Sequence, residues 1–107
     1  MGSYRSVHRM INSQTYTRHR LFLGHTQQTF KFAYTTARHD HRDPPSMSII
    51  YMVPVGRCHS TDAISVDYVS PLLGVNTSLE FKANEEHLVP IESARAIWNM
   101  LSSAGWT

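Results

Sequence analysis

Apolar and polar residues alternate with a period of two through most of this chain and change to a period of three to four near its end. In the run from Thr15, residues Thr17, His19, Leu21 and Leu23 fall on one side and Tyr16, Arg18, Arg20 and Phe22 on the other. That is the pattern of a half-buried strand, running here to Gly24. After the polar turn Gly24–Gln28, the segment Thr29–Thr36 sets Phe30, Phe32 and Tyr34 against Lys31, Ala33 and Thr35, so the two runs predict a hairpin. A third strand, Met47–Val55, is apolar on both sides, with Ile49, Tyr51 and Val53 opposed to Ile50 and Met52. Such a strand belongs in the middle of a sheet covered on both faces, or at a subunit interface. Ile64, Val66 and Tyr68 mark a fourth strand, and Leu79 and Phe81 a fifth. Tyr4, Val7 and Ile11 fit a short helix over residues 4–11, and an extended segment equally well.

The period changes after Pro90. Ile91, Ala94, Ile97, Trp98 and Leu101 share one helical stripe. Pro90 suits the first turn of a helix, and Glu92 suits the positive end of its dipole. Gly105 is placed to stop the helix in the left-handed conformation, with Trp106 packing back over the end. The spacing predicts a helix over 90–104. It cannot bury its stripe alone, so the expected fold is α+β: an antiparallel sheet of four to five strands with the C-terminal helix packed across one face. Leu21, Leu23, Phe30, Phe32, Tyr34, Ile49, Tyr51, Val53, Ile64, Val66, Leu79 and Phe81 supply the sheet's apolar side.

With 107 residues the chain predicts a single domain, 1–107, and is too short for a (β/α)₈ barrel or an α/β-hydrolase sheet. A hydrophobic fraction of 41% is ordinary for a globular protein and argues against wholesale disorder. Cys58 is the one cysteine, so the chain cannot close a disulfide on itself, and a reducing, cytoplasmic setting is the expectation. The first six residues lack the apolar stretch of a secretory signal, although Gly2 and Ser6 match a loose acylation pattern. No apolar run approaches the length of a membrane span, and no membrane partner is expected.

Charge is where a function first suggests itself. Residues 1–57 hold eight Lys/Arg against two acids, a balance of +6, while residues 58–107 hold two against six, a balance of −4, which together recover the net +2. If Leu21 and Leu23 face the core, Arg18, Arg20 and Lys31 project from the other side beside Tyr16 and Phe22. Cations interleaved with flat rings on an open sheet are what single-stranded nucleic acid requires, the cations for phosphates and the rings for bases. Arg38 and Arg42, in the proline-broken loop 37–46, would extend that surface. The expected partner is therefore single-stranded DNA or RNA, bound through Tyr16, Arg18, Arg20, Phe22, Lys31, Arg38 and Arg42. The alternative is a homo-oligomer, a dimer that buries Ile50 and Met52 of strand 47–55 against a second copy. The ring ladder Phe30, Phe32 and Tyr34 reads as core beneath the helix.

The loop also holds His39-Asp40-His41-Arg42-Asp43, which resembles the front half of the His-x-His-x-Asp-His motif of the metallo-β-lactamase family. The resemblance covers these five residues and implies a metal site. Pro44 stands where the family's last histidine would be, so further ligands would have to come from Cys58 or His59. Cys58 and His59 are adjacent in sequence and so point apart, which does not make a catalytic pair. Glu85-Glu86 reads as charge in a loop at the helix entry. No phosphate loop or dinucleotide fingerprint is present, so no catalytic residue, cofactor or bound metal is assigned.

Overall fold

A computed structural model describes residues 20–24, 26–34, 46–54, 56 and 62–107. Among the described residues six strands precede one helix: β1 Arg20–Phe22, β2 Thr29–Tyr34, β3 Ser46–Met52, β4 Ala63–Val69, β5 Asn76–Lys82, β6 Glu86–Pro90 and α1 Ile91–Ser103. The α+β class, the antiparallel pairing and the helix packed on the strands are as the periodicity predicts. The partition of the strands differs from the single sheet expected. Among the described residues, β1, β2, β3 and β6 form a four-stranded sheet in that order, while β4 and β5 pair with each other in a separate two-stranded sheet. Alternation reports which residues face a core and is silent on which strand lies beside which.

β6 is the strand that the sequence reading missed. Glu86 belongs to it and not to a loop, and it pairs with Ile50 of β3 while Val89 pairs with Met47. Its signal is weak because Leu88, on the solvent side, is 57% exposed and breaks the alternation of apolar and polar residues. Pro90 is also reassigned. With φ −57° and ψ 149° it closes the strand and caps the helix, and it is not part of the first turn. Proline tolerates this place because an edge strand's last residue need not donate to the ladder.

The other helix end follows the expectation closely. Gly105 takes φ +102°, Trp106 N donates to Leu101 O at 3.0 Å and Gly105 N to Ser102 O at 3.2 Å. Those two bonds are the Schellman arrangement, and Trp106 is buried as its hydrophobic partner. All five stripe residues of α1 are buried, and so are Ser93 and Arg95 beyond the stripe. The helix has two packing partners, since it contacts β3 and β6 of the large sheet as well as β4 of the separate hairpin.

The core centres on Phe30, which meets Tyr51, Phe81 and Trp106 at ring-centroid distances of 5.2, 5.3 and 4.8 Å. Phe32 meets Trp98 edge to face at 5.0 Å. These rings are core, as predicted, but Tyr34 at the end of β2 is 39% exposed. Met47 and Val89 join the core, whereas Leu23, Val53, Ile64 and Leu79 are only partly buried against it. Asn84, at φ +63°, ties the β5–β6 turn to the large sheet. Its side-chain amide exchanges two 3.1 Å bonds with the backbone of Val53, prolonging β3 past Met52.

Candidate nucleic-acid interface

The register of the large sheet fixes its outer face, the one turned away from α1. Residues directly opposite in an antiparallel pair share a face, so Arg20, Lys31, Ile50 and Glu86 form one row across the four strands. Phe22, Thr29 and Met52 form the row on one side of it, and Ala33, Ser48 and Leu88 the row on the other. Arg20 and Phe22 are exposed and Lys31 half-buried, while Leu21 between them is in the core. The first hairpin thus turns its cations outward as the alternation predicts.

Arg20 and Lys31 sit directly across the β1–β2 pair. Like charges in that position repel and weaken a sheet by a few tenths of a kcal/mol or more. Phe22 follows on the same face about 7 Å further along β1, from the rise of two strand residues. Glu86 stands at the far edge, two strands from Lys31, where its carboxylate accepts a 2.7 Å bond from Ser48 Oγ. Cations at the β1–β2 edge and a carboxylate at the β6 edge make this face dipolar. Half-buried Ile50 and Met52 lie between the edges.

On the side of β1 away from β2, Phe22 pairs with Thr107. Phe22 N donates to Thr107 O at 2.9 Å, and Thr107 N donates to Phe22 O at 2.8 Å. The pair of bonds holds Phe22, and with it the cationic corner, in one backbone geometry. No sequence signal marked Thr107, because its partner lies far away in the chain.

Tyr16, Arg18, Arg38 and Arg42 lie outside the described residues, as do residues 4–11, the His39–Asp43 motif, Cys58 and His59. Among the described residues no group of three or more His, Cys, Asp or Glu side chains is arranged to hold a metal. No described helix is long and apolar enough to cross a membrane.

No family model, curated protein or solved structure matches the chain.

A second surface went unnoticed in the sequence. The β4–β5 hairpin buries Val66 and Phe81 and exposes its opposite face, and its tip carries exposed Val69, Leu72, Leu73 and Val75. The tip is ordered by its own bonds: Ser70 N to Val75 O at 2.9 Å, Gly74 N to Ser70 O at 2.7 Å, and Leu73 N to Ser70 Oγ at 3.2 Å. Exposed Met100 of α1 faces the strand ends next to the tip, across a groove of about 450 Å³ that Asp67, Tyr68, Val69 and Thr77 also line. The available signal was the run Tyr68–Leu79, twelve residues without a formal charge.

Proposed function

We propose that the outer face of the four-stranded sheet binds single-stranded nucleic acid at its β1–β2 corner. Arg20 and Lys31 contact phosphates and Phe22 stacks on a base. The observation that carries the reading is the cross-strand register, which sets two cations side by side with an exposed ring on the same face. A phosphate between Arg20 and Lys31 would convert their mutual repulsion into a shared attraction. Tyr16, Arg18, Arg38 and Arg42 belong to the same proposal on sequence grounds.

The test is fluorescence anisotropy of a labelled single-stranded oligonucleotide over a series of salt concentrations. Affinity should fall steeply with salt, and Arg20→Glu with Lys31→Glu should lower it at least tenfold while flattening the salt slope by about 1.4, at about 0.7 per lost phosphate contact. Phe22→Ala should cost about 1–3 kcal/mol of binding through lost stacking. Binding indifferent to salt and to these substitutions would defeat the reading.

A second reading, self-association through the same face, is favoured by the apolar residues there: half-buried Ile50 and Met52 with exposed Phe22 and Leu88. β3 is hydrogen-bonded on both sides, by β2 and by β6. A second copy could therefore not add a strand to it and would have to lie against its face.

A further inference from the structure

Eight large hydrophobic side chains are exposed among the described residues, and they fall into two groups. Phe22 and Leu88 lie on the outer face of the four-stranded sheet and Tyr34 on its other face, while Val69, Leu72, Leu73 and Val75 stand at the β4–β5 tip, with Met100 across a groove from Val69. The charges beside Phe22 and beside the tip have opposite sign, while Leu88 lies at the far edge next to Glu86. Arg20 and Lys31 stand by Phe22 on the sheet. At the hairpin the nearest formal charges to the tip are Asp67 and Glu80, which follow one another diagonally on its solvent face. An apolar surface edged by cations and an apolar surface edged by carboxylates complement each other both in desolvation and in sign.

From this we infer that the chain associates head to tail, the β4–β5 tip of one copy seated on the outer sheet face of the next. Leu72 and Leu73 cover Ile50 and Met52. Phe22 of the receiving copy enters the groove between the hairpin and Met100, which brings Arg20 to Asp67 at the groove's wall. The inference rests on the second reading above, self-association through the outer face, and goes beyond it by naming the surface that occupies that face. A two-fold dimer would use one patch twice. The head-to-tail contact uses two different patches and grows into a ring or a chain.

This difference provides the test, read by light scattering and sedimentation across a concentration series. Two variants are made: Leu73→Asp, with a spoiled tip and an intact face, and Arg20→Glu with Lys31→Glu, with a spoiled face and an intact tip. All these positions are exposed or half-buried, and unchanged denaturation midpoints verify the fold; Leu72→Asp serves as a second tip variant. The wild type should grow in mass with concentration, and each variant alone should stay monomeric. Mixing the two should yield a 1:1 dimer that grows no further, since one intact tip and one intact face remain to meet. A wild type that stays monomeric overturns both the inference and the self-association reading. If the tip variant still self-associates, face-to-face pairing replaces head-to-tail docking and self-association survives. If the face variant still does so, the tips pair with each other and the inference is likewise overturned. Variants that are monomeric apart and remain so when mixed also overturn it. The Leu73→Asp chain keeps its cationic corner, so its oligonucleotide affinity reports on the nucleic-acid proposal separately.

Discussion

The β1–β2 and β4–β5 hairpins begin from the same signal, two alternating runs joined by a turn with a glycine, and are held in different ways. The first is stitched into a sheet: β3 covers one edge, Thr107 pairs with Phe22 at the other, and Phe30 packs at the centre of the core. Among the described residues the second pairs with itself alone, is attached through one face to α1 and Phe30, and projects an apolar tip. One hairpin thus presents charge from a backbone fixed on both sides, and the other presents uncharged surface at the end of a lever. Alternation accounts for the buried face of each. What an exposed face offers depends on what the rest of the chain leaves uncovered.

The largest effects that could break this comparison lie where the hairpins meet. Phe30→Ala and Phe81→Ala should each cost about 3–5 kcal/mol in chemical denaturation. Because the rings touch at 5.3 Å, the double variant should cost less than the two added together. Strict additivity would mean that the two hairpins are stabilised independently. Deleting Thr107 should cost about 1–2 kcal/mol, from two backbone bonds at about 1 kcal/mol each. Hydrogen exchange should quicken at Phe22, whose amide loses its acceptor, more than at any amide of β4 or β5. Asn84→Ala removes the two side-chain bonds to Val53 and should cost about 1–2 kcal/mol, loosening the joint between the second hairpin and the large sheet.

Smaller effects sharpen the contrast. Leu73→Asp at the tip should move stability by no more than about 0.5 kcal/mol, since a side chain 72% exposed loses little by becoming polar. A loss of several kcal/mol on urea titration would mean that the tip is packed and not presented. Lys31→Glu alone should stabilise the sheet by a few tenths of a kcal/mol, replacing a cross-strand repulsion with an opposite-charge pair. A drop in midpoint would show that Arg20 and Lys31 do not oppose one another across the hairpin.

Much of this molecule was legible before any coordinates. The helix and its Gly105–Trp106 stop, the burial of Phe30, Phe32, Ile49 and Phe81, and the outward turn of Arg20 all follow from local rules. A period of two or 3.6 assigns faces, and a glycine at a helix end admits a left-handed turn that other residues resist. Such preferences act within a few residues and need no knowledge of the distant chain.

Tertiary structure alone decided the rest. It recruited Glu86–Pro90 as a strand beside β3, set the 4–5 hairpin apart as its own sheet, and brought Thr107 to Phe22. It also placed Met100 across a groove from the β4 and β5 residues Tyr68, Val69 and Thr77. These outcomes depend on which hydrogen-bonding edge finds which partner and on which apolar side chains run out of neighbours. Both are properties of the assembled whole: a backbone edge looks the same whatever its sequence, and a leucine does not itself specify what will cover it.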